Sequence, residues 1–255
     1  MHTLQALIFD VDGTLADTER DGHRVAFNQA FEEYCLDWHW DEALYGKLLA
    51  VTGGKERMGF YLDHFNQAYR QNDRTPALIT ALHKAKTRHY TTLLATGAIP
   101  LRPGVKRLLD EARNTGIRLA IATTTTPENV TALLEHALAP GSCKWFEVIA
   151  AGDVVPAKKP AADIYTYALK KMNLSAADCL AFEDSENGIK SSCGAHLKTI
   201  ITINDYTTDH DFKGAALVLD QLGEPEQGFR VLQGNNFDHK YVSLDLLKKI
   251  HSAVS

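Results

Sequence analysis

The residues best equipped for chemistry stand near the start of the chain, where Phe9-Asp10-Val11-Asp12-Gly13-Thr14-Leu15 closes the apolar run Leu4 to Phe9. On a strand, residues two apart point the same way, so Asp10 and Asp12 present both carboxylates to one side before Gly13 lets the backbone turn. Such a pair attracts a hard cation. Magnesium suits it best, because that ion takes oxygen ligands, keeps several waters and is readily shared with a phosphate. The D-x-D-G string also opens calcium loops, but a loop starting at Asp10 would need Gly where Leu15 stands and Glu where Asp21 stands. The spacing excludes calcium.

These carboxylates need a scaffold, and the rest of the chain supplies one. Leu4 to Phe9 reads as a strand buried on both faces, and Arg118 to Thr123, Glu147 to Ala150, Cys179 to Phe182 and Thr199 to Ile203 repeat the pattern. Helical stretches alternate with them: Pro103 to Thr115 closed by Gly116, Glu128 to Ala137 after Thr126-Pro127, Asp163 to Met172, and Glu186 to Ala195 after Ser185. Strand and helix in alternation predict a doubly wound, Rossmann-like α/β fold with a parallel sheet, in which ligands bind beyond the carboxyl ends of the strands.

From Glu19 to Thr96 the alternation stops. Apolar residues there recur at helical spacing: His23, Phe27, Ala30, Phe31 and Tyr34; then Tyr61, Leu62, Phe65, Ala68 and Tyr69; then Ile79, Leu82, Tyr90, Leu93 and Leu94. They read as core stripes of an inserted all-helical cap domain, residues 19-96, within an α/β core made of residues 1-18 and 97-255. A cap joined by two linkers beside the site can act as a lid. After Asp220 the chain turns polar and irregular, with one helix expected from Leu244 to His251 capped by Ser243.

Composition narrows the partners. A net charge of -5 provides no basic excess for a nucleic-acid backbone. Cys35, Cys143, Cys179 and Cys193 show no C-x-x-C spacing, so reduced thiols are expected, without a zinc cluster or disulfide framework. No apolar run is long enough to span a bilayer, and Met1 to Gln5 has no signal-peptide pattern. A cytoplasmic monomer acting on a small molecule, with no membrane or nucleic-acid partner, is the expectation.

Phe9 to Leu15 resembles the first motif of the haloacid-dehalogenase-like hydrolases, and the three further motifs of that family follow in order. Thr123 ends Leu119-Ala120-Ile121-Ala122, where a hydroxyl can donate to a phosphoryl oxygen. Thr124, Thr125 and Thr126 lie in the loop entering a helix, where N–H and hydroxyl groups can bind phosphate, although Thr126 also suits an N-cap before Pro127. The resemblance places the motif lysine at Lys159, before Pro160, although Lys158 offers the same charge one residue away. It matches Glu183-Asp184 to the acidic pair that joins Asp10 and Asp12 around the metal.

By this resemblance Asp10 would attack phosphorus, forming an aspartyl-phosphate, while Asp12 protonates the leaving oxygen and later deprotonates water. A carboxylate approaching a phosphate dianion at about 4 Å meets roughly 8 kcal/mol of repulsion at an effective dielectric near 20. A divalent cation with Lys159 reverses that sign. Dehalogenases of the family lack the second acid, so Asp12 disfavours that activity.

The insertion after the first motif resembles the branch with β-phosphoglucomutase and sugar phosphatases. Closer likeness extends over Asp17 to Arg24, Gly53-Gly54-Lys55-Glu56-Arg57, Thr123 to Asn129 and Leu222 to Pro225, and points to the CbbY-like branch, which includes xylulose-1,5-bisphosphate phosphatases. Cations at a helix start oppose the helix dipole unless an anion binds there, so Gly53, Gly54, Lys55 and Arg57 are candidate contacts for a distal phosphate or sugar hydroxyls. Glu19 would bind sugar hydroxyls. Two rivals differ in outcome: a β-phosphoglucomutase-like sugar phosphomutase would return the phosphoryl group to sugar, and a phospho-accepting signalling receiver would need neither cap nor Asp12.

Overall fold

The apolar runs lie side by side in one sheet. In the computed structural model, which describes residues 2–70 and 75–253, the strands are β1 (Ala6–Phe9), β2 (Arg118–Ala122), β3 (Val148–Ala150), β4 (Cys179–Glu183), β5 (Lys198–Thr202), β6 (Leu217–Leu219) and β7 (Val231–Gly234). Their order is β3-β2-β1-β4-β5-β6-β7, with every pair parallel except β6 and β7. From β1 the chain first builds outward through β2 and β3, then returns to lay β4 against the other side of β1. That reversal opens a crevice at the carboxyl ends of β1 and β4.

The described helices are α1 (Arg24–Glu33), α2 (Glu42–Leu48), α3 (Gly54–His64), α4 (Gln67–Arg70), α5 (Thr75–Ala95), α6 (Val105–Asn114), α7 (Pro127–Leu133), α8 (Asp163–Met172), α9 (Glu186–Gly194) and α10 (Leu244–Ser252). Alternation along the strands explains how helices reach both sheet faces. Leu7, Phe9, Leu119, Ile121, Leu180 and Phe182 build one face with Leu108 of α6, Val130 of α7 and Leu247 of α10. The opposite face carries Ala6, Ile8, Ala120, Ala122 and Ala181, and its small side chains let Tyr165, Leu169 and Met172 of α8 come close. Such interiors are packed nearly as densely as crystals of small molecules, so small residues on one face leave room for large ones on the helix above.

Helices α1 to α5 follow β1 as an inserted unit with its own core. Phe27, Phe31, Trp38, Trp40, Tyr45, Met58, Tyr61 and Leu82 form it. Its rings meet edge to face, Trp38 and Tyr69 with centroids 4.9 Å apart and Phe31 and Trp40 also 4.9 Å apart. Some members of the predicted stripes fall elsewhere. Tyr34 and Phe65 are exposed, while Tyr90 and Leu94, on the last turns of α5, pack with the sheet core instead. His23 is buried, but as a hydrogen-bonding group.

The segment beyond Ile203 departs from expectation. β6 and β7 were not anticipated: β6 has three residues, and β7 is exposed throughout, so neither shows a readable apolar period. β7 also lies inside the stretch read as irregular. The final helix is as predicted, with Ser243 accepting from Leu246 N. α7 ends earlier than predicted and continues as a wider turn over Leu134–Leu138.

Candidate active site

Three strand ends meet at the crevice. Asp10 N donates to Phe182 O at 3.0 Å, which registers the end of β1 beside Glu183 at the end of β4, and Thr123 N donates to Ala150 O at 2.9 Å beyond β2. Lys159, from the loop before α8, reaches in below them. Its Nζ lies 2.5 Å from Asp10 Oδ1 and 2.5 Å from Glu183 Oε1. Lys158 Nζ, one residue away, pairs with Asp153 at 2.9 Å and Glu56 at 3.6 Å instead.

Asp10, Glu183 and Asp184 are all buried, and one carboxylate oxygen from each can be chosen so that the three lie within 4.8 Å of one another. Three buried acids against one lysine leave negative charge uncompensated. Burial pushes the Asp10 carboxyl up to about 8 despite the pull of Lys159, and burial with the charges of Glu183 and Asp10 pushes Asp184 well above the carboxylate range. A divalent cation would relieve both, and hard oxygen donors in this number fit magnesium. Glu183 is the most committed of the three. Its Oε1 accepts from Lys159 and from Tyr165 OH at 2.8 Å, and its Oε2 accepts from Asp184 N at 3.1 Å.

Asp12, expected among the metal ligands, stands outside this group. Its Oδ1 accepts from Thr18 Oγ1 at 2.6 Å and lies 2.8 Å from His23 Nε2, whose Nδ1 is 2.7 Å from Lys86 Nζ. Asp10 and Asp12 line the same cavity, but the hydrogen bonds of Asp12 run to Thr18 and His23 and not to the acidic group, while Gly13 turns the chain at φ +82° with its N donating to Ala16 O. Burial would raise the Asp12 carboxyl, but His23, Thr18 and Lys86 together hold it far below its usual range.

Above the strand ends, a cavity of about 320 Å³ is lined by Asp10, Asp12, Thr123, Lys159, Asp184 and, from the helical unit, Arg57. A second cavity of about 570 Å³ shares Asp12, Glu19, Arg57 and Thr124 with it. Gly53, Gly54, Lys55, Thr125 and Thr126 line the second one. Glu19 accepts from Tyr45 OH and lies 3.4 Å from Arg57 Nη1, which donates to Tyr45 OH at 2.6 Å. Arg57 is buried, with its Nε unpaired. Lys55 instead reaches Asp153 at 2.9 Å. Thr126 caps α7, its hydroxyl accepting from Asn129 N at 3.4 Å, and Thr125 Oγ1 accepts from Asn129 Nδ2 at 3.0 Å.

A family model described as haloacid dehalogenase-like hydrolase matches residues 4–192. The chain belongs to this family. It is 46% identical over 224 residues to Protein CbbY, plasmid, of Cupriavidus necator, covering 88% of each chain, and 48% identical over 212 residues to Protein CbbY of Rhodobacter capsulatus, covering 83% of this chain and 91% of that one. Among solved structures, a mutant of CbbY from Rhodobacter sphaeroides in complex with xylulose-(1,5)bisphosphate superposes with a TM-score of 0.80 at 43% identity, covering 86% of this chain and 95% of the other. A β-phosphoglucomutase from Clostridium difficile, 22% identical with a TM-score of 0.70, shares the fold. This haloacid dehalogenase-like hydrolase is a phosphatase.

Several residues around the candidate site escaped the sequence reading. Tyr165 and Asn204 hold Glu183 and Asp184, the latter by Asn204 Nδ2 donating to Asp184 Oδ2 at 2.7 Å. Thr18 and His23 lay within the stretch resembling the CbbY-like branch, but Lys86 carried no local signal at all. Gly188 is a further silent requirement, because a Cβ there would overlap the Glu183 carboxylate. Gly188→Ala is therefore expected to displace Glu183 from Lys159 and destabilise the protein by roughly 1 to 3 kcal/mol, the usual range for overpacking. Thermal unfolding checks this, and an unchanged midpoint would show that the helix can shift without cost.

Proposed function

We propose that the chain is a magnesium-dependent phosphatase that works through an aspartyl-phosphate on Asp10, with xylulose-1,5-bisphosphate or a similar sugar bisphosphate as substrate. The observation that carries this reading is the pairing of two features across one cavity. Asp10, Lys159 and Asp184 lie at its floor, and the buried guanidinium of Arg57 lies in its wall.

Asp10 and Asp184 would hold the magnesium, with Glu183 fixing Lys159 beside them; the ion supplies charge to offset that of the phosphoryl oxygens. Lys159 keeps one Asp10 oxygen oriented and shares its negative charge. The carboxylate of Asp10 forms the new O–P bond as the bond from phosphorus to the sugar oxygen breaks. Asp12 gives that oxygen a proton, then takes one from the water that attacks the acyl phosphate and releases phosphate. Asp12 enters as a carboxylate, given its partners; an arriving phosphate dianion raises its proton affinity, so that it takes a proton from solvent as the substrate binds, and this is the proton it passes to the sugar oxygen. Thr123, with Thr124 to Thr126, would meet the phosphoryl oxygens and sugar from β2 and the following loop.

In this reading residues 19-96 form the cap. Arg57 takes the distal phosphate, Glu19 takes sugar hydroxyls, and Gly53, Gly54 and Lys55 border the same space. The test is phosphate release from a ketopentose 1,5-bisphosphate and from its monophosphates, with magnesium and with a chelator. The expected result is preference for the bisphosphate and no turnover without the divalent ion. Arg57→Ala should raise KM for the bisphosphate by roughly 10- to 100-fold, the worth of a charge-assisted contact, with little change for monophosphates. Equal rates on both substrates would remove the distal-phosphate assignment, and phosphoryl return to sugar would reassign the enzyme as a mutase.

A further inference from the structure

Arg102 is a cation at the base of the site that the chemistry above does not use. It lies where the chain returns from the helical unit, with its own N donating to Leu15 O at 2.9 Å and Leu101 bridging to Ala16. The side chain is 7% exposed, yet its charged partner, Asp17, is itself exposed and 3.4 Å from Nε. The guanidinium is instead spent on main-chain carbonyls. Nη1 donates to Gly13 O and to Thr202 O at 3.1 Å, and Nη2 donates to Ile203 O at 2.5 Å and Asp220 O at 2.9 Å. One planar fork thus ties together the turn after Asp12, the end of β5 and the residue after β6.

Two of those ties converge on one carboxylate. Ile203 precedes Asn204, whose Nδ2 donates to Asp184 Oδ2. Gly13 packs so close to Asp184 that a Cβ on it would overlap both Oδ2 and Asn204 Nδ2. The same oxygen is therefore held from two sides by segments that Arg102 joins. Lysine carries the charge but not the fork, since its ammonium is a point donor and cannot serve four carbonyls in one plane.

We infer that Arg102 is a positioning residue that fixes the Asp184 carboxylate for magnesium through Asn204 and Gly13. This rests on the reading of Asp10 and Asp184 as the magnesium site. Groups that orient a metal ligand from behind are commonly worth 10- to 100-fold in metal affinity.

The test compares wild type, Arg102→Lys, Asn204→Ala and the double variant. Binding of Mn²⁺, a paramagnetic stand-in for magnesium, is followed by electron paramagnetic resonance, and the magnesium concentration giving half-maximal phosphate release is measured in parallel. Arg102→Lys is expected to weaken Mn²⁺ binding and raise the half-maximal magnesium concentration by about 10-fold or more, leaving KM for the sugar phosphate within about 2-fold at saturating metal. The double variant should lose no more than the larger single loss, since both act along one path.

A fall in thermal stability with unchanged Mn²⁺ affinity would make Arg102 merely structural and overturn the inference, as would additive losses in the double variant. Should Arg102→Lys fail to fold, Asn204→Ala still decides: unaltered metal affinity there breaks the proposed path. Wild type that binds no Mn²⁺ would overturn the magnesium reading itself, an outcome distinct from wild type that binds while the variants bind equally well.

Discussion

Asp10→Asn is expected to lower phosphate release by at least about 10⁴-fold, on the scale seen when a covalent nucleophile is removed. The change is nearly isosteric, so the cavity keeps its shape. It loses the anionic carboxylate oxygen needed to make the O–P bond, since an amide is a far poorer nucleophile. It also removes one of three crowded acids, and burial is the largest cost to Asp10's charged form. Without metal, the Asp10→Asn variant should therefore have a thermal midpoint equal to that of wild type or higher. Loss of turnover with intact or raised stability separates a chemical role from a structural one, and the aspartyl-phosphate trapped from wild type by rapid acid quench should be missing from the variant. Turnover within about 10-fold of wild type would refute the assignment of Asp10.

Lys159→Met is expected to damage both function and fold. Its ammonium is the shared partner of Asp10 and Glu183, and all three side chains are less than a tenth exposed. Deleting one member of a buried ionic group leaves the others unpaired, at a cost of about 3 to 5 kcal/mol. For a chain of this size that corresponds to a midpoint drop of roughly 6 to 20 °C. Turnover should fall by about 10³-fold or more, because the charge opposite the phosphoryl group is also lost. Lys158→Met is the matched control. Its partners Asp153 and Glu56 are largely exposed, and such pairs contribute about 0 to 1 kcal/mol. Equal effects from the two variants would mean that the neighbouring lysines are interchangeable, against the geometry.

The second acid links the helical unit to the chemistry. Asp12 takes its hydrogen bonds from Thr18 and His23, and His23 is held by Lys86 from α5. The carboxylate proposed to move protons is thus oriented by residues just before and within the inserted unit, so its setting and the seating of that unit are not independent.

The linear chain by itself determined the parts that depend on local pattern. Continuous apolar runs broken by acids or threonine marked β1, β2 and β4 with their polar ends, because a strand buried on both faces has no polar residue to hide until it leaves the sheet. Helical spacing marked the inserted unit for the same reason of burial. The tertiary structure alone decided which charges meet. It set Lys159 rather than Lys158 on Asp10, drew Glu183 beside both, bonded Asp12 to Thr18 and His23, and brought Lys86 to His23, Tyr165 to Glu183 and Asn204 to Asp184. Side-chain pairing across strands and helices depends on where the backbone turns and packs, which no local pattern of residues encodes. It also raised β7 from a stretch with no apolar pattern, since an exposed edge strand is held by backbone hydrogen bonds to its neighbour, which any side chain allows.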